Sequence, residues 1–583
     1  MTLSIPPLDP ALPGLCIAQP ALAEPFLLEG ARVRLAGRQT RCGGEALLCD
    51  EEGRASFTVS LQAPNLGLAA NLVLYPGVAR RDFVSSKGAT SEALVASRTL
   101  PMLIWQLSGS SAGASRIRVE LSTSTTLAYV DHCEDTVTIR TQGKLAQVRI
   151  EPAPKEIEIK ASGGAVDLCL TLAEAETHAM ALAFGDPGEV EVAMRAASHM
   201  EGHALRAAEG PYGALRLNTG ITDIDEGVAW ALARTFGLVS EHSSAALNLG
   251  LAAVALGHPN VTTRALSHLE NTNFVAACLL AARSGLTTGD TTVAAILAER
   301  LLGEADTIES DLVPLAAGNL ADALHYGATA EVLESLRKMS LASPDPIPTT
   351  PTNPRGTRLP MATTAAALPG SARRERSHIT WLRNLLTGNP SHPPSSSHVR
   401  LSRARRSAEL FRVDPDRAWR DWRILLEEGL RHGPTGPATW DEIPSNPHSQ
   451  VQDYGESLTA ELLLALAHGL LGLAPDAPFG RLRIAPRIPS HLVSFEVTGI
   501  QIGDGEVSVA YQRDRQEINF TLKPERVGIP PLIVFEPSIN GTVQQVLMDG
   551  KTAELNLKNV NRQTVVPVQL PLDSARTLTI VTE

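Results

Sequence analysis

The stretch Thr439–Ile484, TWDEIPSNPHSQVQDYGESLTAELLLALAHGLLGLAPDAPFGRLRI, joins three kinds of sequence. It opens with an acidic, Pro-rich segment that contains Trp440, Asp441 and Glu442, continues as a long apolar run, and ends in an alternating, strand-like tail. The nearby prolines favour an irregular backbone, in which side chains can face a cavity instead of a helix groove. The stretch therefore predicts an acidic loop, a helix and a β region in succession, with candidate chemistry in the loop.

Length, charge and motif content narrow the class of protein. A chain of 583 residues exceeds the size at which a single core stops growing, so several domains are expected. The formal net charge of −12 argues against nucleic-acid binding, because phosphate backbones are bound by clustered Lys and Arg. The six cysteines contain no CxxC pair, and no metal, P-loop or dinucleotide motif occurs, so neither a metal nor a cofactor is expected.

The N-terminus and the hydropathy pattern bear on location. The first residues carry no positively charged leader and are interrupted by prolines, and no apolar run reaches membrane-spanning length. We therefore expect a cytoplasmic protein without a membrane partner. The sequence gives no indication of the oligomeric state.

The N-terminal part of the chain has the period of β-strands. Short alternating segments such as ARVRLAG, ASFTVSLQ and AVDLCLTL are bounded by Gly, Pro, Asn or Ser. They predict an antiparallel β-sandwich over residues 1–187. A linker helix and connection are expected over 188–222.

After residue 222 the apolar residues recur at helical spacing, and near the C-terminus they alternate again as in strands. Helical segments joined by Gly-containing turns predict helical hairpins over 223–473, with long loops near 343–373 and 391–398. Alternating segments over 474–583, with hairpin signals at GDG and DG, predict a second β-sandwich. The expected fold class is multidomain α+β.

This order of domains, with a TWDE-type loop before the last long helix and then GLLGLAPDAPFGRLRIAPRIPSHLVSFEVTGIQIGDGEVSV, resembles the six-hairpin, (α/α)6-toroid glycosidases. That group contains rhamnosidases, glucoamylases, glycogen-debranching glucosidases and disaccharide phosphorylases. The resemblance covers about Asp223 to Val509 and is most specific at its C-terminal end. It implies that the helical region forms an (α/α)6-like toroid and that the ligand is a carbohydrate.

The resemblance also implies a pair of catalytic carboxyl groups. An inverting glycosidase uses one protonated carboxyl group as general acid and a second carboxylate, roughly 6.5–9.5 Å away, to activate water. Glu442 best matches the position of the group's base, with Asp441 as its rival. The group's usual general-acid signatures are absent, and RRERSHITW lacks the Gly-Asp that would complete one of them. Glu309 and Asp311, which precede an apolar helix, are alternative acids, although helix capping also favours acids there.

Other charged residues have a structural as well as a functional explanation. Asp223, Asp225 and Glu226 at the start of the helical region are alternative acids that capping also explains. The Arg-rich stretch over 400–423 could recognise a phosphate or carboxylate, but we expect it to be a solvated or interdomain salt-bridging face.

Four tryptophans cluster at the C-terminal end of the helical region: Trp381, Trp419, Trp422 and Trp440. Sugars present apolar faces that stack on aromatic rings, so Trp440 and Trp381 are candidate sugar-binding residues. His448, close to the acidic loop, could bond a sugar hydroxyl. Trp419 and Trp422 share one helix face, where burial in the core is the simpler explanation.

Three hypotheses about function follow. The leading one is a glycoside hydrolase that acts on an oligo- or polysaccharide by an inverting two-carboxylate mechanism. The alternative is a non-catalytic carbohydrate-binding or scaffolding relative, which the missing acid signature favours. A helical-repeat interaction protein is the third, but the unequal hairpins and the flanking β domains count against an open solenoid.

Overall fold

The computed structural model describes residues 15–17, 25–30, 32–50, 55–75, 77–85, 88–109, 116–123, 127–141, 143–172, 177–199, 215–235, 243–304, 308, 312–325, 327–341, 396–431, 452–526, 530–554, 556–560 and 563–583. Two compact units divide the chain. The first unit comprises Met1–Tyr212, Ala229–Glu241 and Gly429–Gln452, and the second comprises Gly213–Val228, His242–Glu428 and Asp453–Glu583. Among the described helices, none is both long enough and apolar enough to cross a membrane.

The first unit consists mainly of β-strands. These are β1 (Leu15–Ile17), β2 (Pro25–Glu29), β3 (Val33–Arg38), β4 (Gly43–Cys49), β5 (Ala55–Gln62), β6 (Ala69–Tyr75), β7 (Val78–Ser85), β8 (Gly88–Ala96), β9 (Met102–Ser108), β10 (Arg116–Ser122), β11 (Leu127–Cys133), β12 (Thr136–Thr141), β13 (Leu145–Glu151), β14 (Glu156–Ser162), β15 (Ala165–Thr171) and β16 (Thr177–Gly185). One sheet has the order β1-β6-β7-β8-β9-β16-β13-β12-β11, and the other has the order β14-β15-β10-β5-β4-β3-β2.

The two sheets of the first unit share one hydrophobic core. Strand β10 shows the predicted alternation, since Val119 and Leu121 are buried whereas Arg118 is exposed. Such inward residues of the seven-stranded sheet join residues of the nine-stranded sheet, among them Trp105 and Val148, in a single buried cluster. Burial of alternate residues on two facing sheets is what holds a β-sandwich together. The predicted antiparallel β-sandwich is therefore present.

Two central strands of the nine-stranded sheet do not alternate between buried and exposed residues. Strands β9 and β16 are buried along almost their whole length, because helix α1 (Pro187–Ala196) covers the second face of the sheet. Val190 and Ala193 of α1 pack in a cluster with Ile104 of β9. A strand that is covered on both faces reads as a continuous apolar run, which is why β9 is not predicted from period two.

A buried ion pair ties the turn between β3 and β4 to the sandwich core. Arg81 and Glu92 are each 1% exposed, and Nη2 of Arg81 lies 2.5 Å from Oε2 of Glu92. Arg81 also donates to the carbonyls of Arg38 and Gly43, and Glu92 accepts from the amide of Gly43 and from the indole Nε1 of Trp105. Removing one partner of such a pair costs about 3–5 kcal/mol, because the other charge stays buried without compensation.

The helices between residues 222 and 470 follow the predicted helical region. They are α2 (Thr222–Thr235), α3 (Ser243–Ala255), α4 (Pro259–Thr272), α5 (Phe274–Thr288), α6 (Thr292–Glu304), α7 (Val313–Ala323), α8 (Ala330–Leu341), α9 (Ser396–Leu410), α10 (Pro415–Arg431) and α11 (Gln452–Leu464), followed by a π-helical turn, Ala465–Leu470. In the second unit α3 packs on α4, α5 on α7, and α7 on α8. The toroid itself stays a prediction.

One predicted turn is confirmed and one predicted loop is shorter than expected. The GHPN motif contains the turn between α3 and α4, and its Pro259 begins α4, where a proline is tolerated because the first helical N–H groups have no partner within the helix. Ser396 begins α9, so the loop predicted near 391–398 overlaps the first turn of this helix. The loop predicted near 343–373 lies outside the described residues.

The C-terminal strands belong to the second unit. They are β18 (Ala474–Asp476), β19 (Arg481–Ile484), β20 (Ser494–Ile502), β21 (Gly505–Arg513), β22 (Glu517–Arg526), β23 (Leu532–Phe535), β24 (Ser538–Asn540), β25 (Val543–Met548), β26 (Lys551–Thr552), β27 (Lys558–Val560), β28 (Gln563–Val565), β29 (Val568–Pro571) and β30 (Arg576–Thr582), and they are joined by β17 (Arg216–Asn218). The sheet orders are β17-β20-β21-β22-β30-β25-β26, β18-β19-β23-β29 and β24-β28-β27.

A chain of aromatic rings connects two of these sheets. Phe495 stacks on Tyr511, and Tyr511 lies tilted against Phe520, with ring centroids 5.2 Å apart in both pairs. Phe520 meets Phe535 of the four-stranded sheet edge-on at 5.1 Å. Pairs of this geometry contribute about 0.5–1.5 kcal/mol beyond their burial. One pairing departs from the hairpin pattern, since β19 and β23 run parallel.

Both predicted C-terminal hairpin turns are confirmed. Ile502 pairs with Gly505, which leaves Gly503 and Asp504 as the two-residue turn. Asp549 and Gly550 form the second turn, and both have positive φ angles, 51° and 76°, as a type I′ turn requires.

The last helix passes into the C-terminal strands through a tight backbone contact. The carbonyl of Leu470 accepts from the amide of Arg487 at 2.7 Å, and that of Leu471 accepts from the amide of Ala485 at 3.1 Å. Gly472 follows these two residues with φ +60°, and a Cβ atom there would come within 2.3 Å of the carbonyl oxygen of Ala485. Only glycine satisfies both the left-handed backbone and this approach.

Substitution of Gly472 tests this contact. Gly472→Ala should lower the free energy of unfolding by about 3 kcal/mol or more, because left-handed strain adds to a clash with backbone. Gly480→Ala is the matched control, since Gly480 also has φ +60° but has no atom within 4 Å of its Cβ position. It should cost about 1 kcal/mol. Chemical denaturation of both variants gives the comparison, and equal losses would contradict the role of the contact.

Candidate functional site

The side chains that the sequence predicts for catalysis and sugar binding lie outside the described residues. The predicted catalytic residues are Glu442, Asp441, Asp311 and Glu309, and the predicted sugar-binding residues are Trp440, Trp381 and His448. Their roles stay predictions. The side chains of Asp223 and Glu226 are outside the described set as well, whereas Asp225 is described.

Asp225 has a structural role at the start of α2. Its Oδ1 accepts from the amide of Thr219 at 2.7 Å and from the Thr219 hydroxyl at 2.8 Å, and its Oδ2 accepts from the amide of Gly220 at 3.1 Å. These bonds join the end of β17 to the first turn of the helix. Asp225 thus anchors the segment that precedes the helix, which supports a structural explanation of this acid, although the bonds are not those of an N-cap.

Trp419 and Trp422 are core residues of α10. Each is 1% exposed, and their ring centroids lie 5.2 Å apart. The indole Nε1 of Trp422 donates to the carbonyl of Leu462 at 2.9 Å. The expectation that these two rings are buried rather than offered to a sugar is confirmed.

Arginines of α9 form ion pairs with other helices of the second unit. Nε of Arg405 donates to Oε1 of Glu461 at 3.0 Å, and Glu461 is fully buried. Nη2 of Arg403 lies 3.7 Å from Oδ1 of Asp421. These two arginines thus form salt bridges, as expected, but within the second unit and not between domains.

Glu409 is a buried acid that the sequence interpretation overlooks. It is 5% exposed, and burial raises the pKa of its carboxyl group above the ordinary value of 4.5, although the positive charge of Arg412 partly opposes the shift. It is the single acidic residue in α9, and this isolation among arginines is a signal that sequence reading could have used. A carboxyl group with a raised pKa is suited to hold a proton for acid catalysis.

A cavity of about 30 Å³ lies within the second unit. Its apolar walls come from α3, α5 and the C-terminal strands, including Leu251, Val254, Leu286, Leu482 and Ile500. Four polar side chains complete the lining: Arg283, Thr287, His468 and Gln501. A space of this size holds about two water molecules. Among the described residues, no group of three His, Cys, Asp or Glu side chains could hold a metal ion.

His468 of the π-helical turn presents a neutral imidazole to this cavity. Burial and the positive charges of Arg283 and Arg412 lower the pKa of His468 to about 4, against a smaller opposing effect of its bond to Leu473. Nδ1 lies 3.0 Å from the carbonyl oxygen of Leu473, which can only accept, so Nδ1 carries the proton. Nε2 is then a hydrogen-bond acceptor.

Comparison with solved structures shows which known folds this chain resembles. No protein family matches the sequence, and a search of curated proteins finds no match. The structure of a family GH92 α-mannosidase from Bacteroides thetaiotaomicron aligns with a TM-score of 0.50 and 9% identity over 94% of this chain and 90% of that chain. A bacterial glucoamylase in complex with acarbose aligns with a TM-score of 0.50 and 9% identity over 80% of this chain and 96% of that chain.

The fold resembles that of the (α/α)6-toroid glycosidases. The resemblance seen in the sequence is thus confirmed. Because the sequences are only 9% identical, it is confirmed for the fold alone. The α+β class, with antiparallel sheets and a helical region, is confirmed with it.

The electrostatic state of Glu409 gives a stability prediction. The pKa of the Glu409 carboxyl group is higher in the folded than in the unfolded chain, so protonation of this group stabilises the fold at low pH. This stabilisation is lost as the pH rises through the folded-state pKa. Glu409→Gln should therefore raise the free energy of unfolding at neutral pH, and the gain should disappear below the ordinary Glu pKa. Denaturation at several pH values measures this. Glu331→Gln, at an exposed position on α8, is the control. A loss of stability at neutral pH in Glu409→Gln would contradict the assignment.

For His468 we expect the free energy of unfolding to depend on pH in the opposite sense. Between pH 6.5 and about 4 the unfolded chain takes up a proton at His468 that the folded chain does not, so the free energy of unfolding falls as the pH falls. The pKa difference corresponds to at most about 3 kcal/mol. His468→Asn can still donate to the Leu473 carbonyl but does not titrate, so this part of the fall should vanish. His491→Asn, whose side chain is 54% exposed, should keep it. An unchanged pH dependence in His468→Asn would be inconsistent with a buried neutral imidazole.

Proposed function

We propose that this protein is a glycoside hydrolase-like protein that acts on an oligo- or polysaccharide, with its helical hairpins closed into an (α/α)6-like toroid. The supporting observation is the β, helical, β order of the chain, which aligns over 94% of its length with the α-mannosidase and over 80% with the glucoamylase. The glucoamylase is described as a complex with acarbose. A carbohydrate is therefore the ligand that we propose for this chain as well.

The proposed reaction is inverting and uses two carboxyl groups. Glu442, or its neighbour Asp441, is the proposed base that activates water, and Glu309 or Asp311 is the proposed acid that protonates the leaving oxygen. Glu409 is a further candidate for the acid, because its burial raises the pKa of its carboxyl group. The base and the acid must lie roughly 6.5–9.5 Å apart to leave room for the water.

Aromatic and imidazole side chains complete the proposed sugar site. Trp440 and Trp381 would stack against the apolar faces of sugar rings, and His448 would hydrogen-bond a hydroxyl group. The cytoplasmic location and the absence of nucleic-acid and membrane partners stay predictions from the sequence.

The alternative proposal is a non-catalytic relative that binds carbohydrate or acts as a scaffold. The observation that favours it is the missing general-acid signature in the sequence. Such a protein would keep the aromatic residues of the site but not a working pair of carboxyl groups.

A panel of glycans and aryl glycosides with purified protein tests the proposal. The wild type should release a sugar of inverted anomeric configuration, detectable by NMR. Glu442→Gln should lower kcat about 100-fold or more with an unchanged denaturation midpoint, because a general base contributes at least that factor. Asp441→Asn distinguishes the two neighbouring acids, and Glu331→Gln is the surface control.

The outcomes separate the two proposals. Saturable glycan binding without cleavage by the wild type supports the non-catalytic alternative. Turnover that is unaffected in both Glu442→Gln and Asp441→Asn removes the acidic loop from the mechanism. Loss of turnover in Glu409→Gln without loss of stability would identify Glu409 as the acid.

A further inference from the structure

Strand β14 forms an open edge of the first unit. Among the strands that the structure describes, it lies at the end of the seven-stranded sheet and pairs only with β15. None of its residues, Glu156–Ser162, is fully buried, and most of them are exposed. The backbone N–H and C=O groups along the outer side of such a strand can pair with another extended chain.

The hairpin turn after β14 determines which of its backbone groups point to the open side. Ser162 pairs with Ala165 across a two-residue turn, so these two residues exchange the backbone hydrogen bonds that close the hairpin. Hydrogen-bonded pairs recur at every second residue of an antiparallel ladder. The residues between them therefore direct their N–H and C=O groups to the open side: Ile157, Ile159 and Ala161.

The side chains of β14 have a self-complementary pattern of charge. Glu158 and Lys160 lie on the outer face of the sheet, and 57% and 69% of their side chains are exposed. Ile157 and Ile159 point to the other face, where they pack against the core of the sandwich but stay only half buried. Opposite charges on either side of an isoleucine allow this strand to match an antiparallel copy of itself.

The charges also select the register of such a pairing. If a two-fold axis passes through Ile159, each Glu158 lies opposite Lys160 of the second copy. Ile157 then lies opposite Ala161, and both have backbone groups on the open side. The Glu–Lys pairs fall where no backbone hydrogen bonds are exchanged, and side chains approach most closely at such positions. An axis through Glu158 or Lys160 would place like charges opposite each other, which is destabilising.

We propose that β14 is a self-association surface, where two copies of this chain pair antiparallel about a two-fold axis at Ile159. The pairing supplies partners for the outer backbone groups, joins opposite charges across the axis and covers the half-buried isoleucines. One strand from each copy buries less than the roughly 1,200–2,000 Å² of a stable complex, so the dimer exchanges with the monomer. The surface does not depend on the proposed glycosidase activity.

Analytical ultracentrifugation of the full chain, from micromolar to submillimolar concentration, tests the proposal. The wild-type mass should rise with concentration from that of one chain toward that of two. Glu158→Lys and Lys160→Glu should each weaken dimerisation about 10-fold or more, because opposite charges across the axis become like charges. A variant with both substitutions restores opposite charges across the axis, so it should dimerise as the wild type does.

Two further variants show whether the edge itself is used. Glu120→Lys is the matched control, because Glu120 has a 42% exposed side chain on β10, two strands away from the edge. It should leave dimerisation unchanged. Ala161→Pro removes a donor on the open side at an exposed position, where an edge strand tolerates proline, and should weaken dimerisation about 10-fold. Circular dichroism checks that each variant is folded.

The outcomes are distinct. A wild-type mass of one chain at every concentration would overturn the proposal. A dimer that neither single charge reversal weakens uses another surface, and this result would overturn it as well. Failure of the doubly substituted variant to regain dimerisation would overturn the register at Ile159, because a loss that exchanged charges cannot restore does not come from pairing across the axis.

Discussion

The second unit depends on the close approach between the backbone of Gly472 and the carbonyl of Ala485. This contact sets the direction in which the chain leaves the last helix. The last carbonyls of a helix have no later helical amide to accept from, and here those of Leu470 and Leu471 accept from Arg487 and Ala485, which follow β19. Local π geometry of this kind often occurs where a side chain must be directed to a specific place. Here it directs His468 toward the Leu473 carbonyl and toward the cavity.

A single sequence feature thus has effects at three levels. The GLLGLAP motif supplies a residue that tolerates positive φ, and the backbone contact positions the following strands. The preceding turn places a neutral imidazole within the influence of the buried Arg283. Apolar helices such as α5 provide the walls, and the polar residues that they carry are few. Electrostatic effects in this unit are large because burial, rather than salt-bridge number, determines the pKa values of Arg283, Glu409 and His468.

Sequence patterns predict those parts of the fold in which one face of an element is buried. Val119 and Leu121 alternate with polar neighbours and reveal β10, whereas Ile104 lies in a strand that is covered on both faces and has no period to detect. The hairpin at Asp549–Gly550 is predictable because its backbone angles restrict the residue types. Of the charged residues, Asp225 and Arg405 have the kind of structural role that the sequence suggests, although the partner of Arg405, Glu461, lies 56 residues away and could not be named. The isolation of Glu409 among arginines is visible in the sequence, but the burial of Glu409 and Arg283 could not be predicted, because it depends on neighbours that are distant in sequence.

The ion pair between Arg81 and Glu92 in the first unit has a consequence for the divergence of this sequence. Each is the other's charged partner, and the remaining contacts of the pair come from neutral groups such as backbone carbonyls, a backbone amide and the indole of Trp105, so a change at either position alone leaves a buried charge without its partner. If the two residues are replaced by apolar ones in two successive substitutions, the chain with only one substitution folds less stably. The two positions are therefore expected to drift as one unit in descendants of this chain, either kept together or replaced together, while the surrounding surface of the β-sandwich diverges freely.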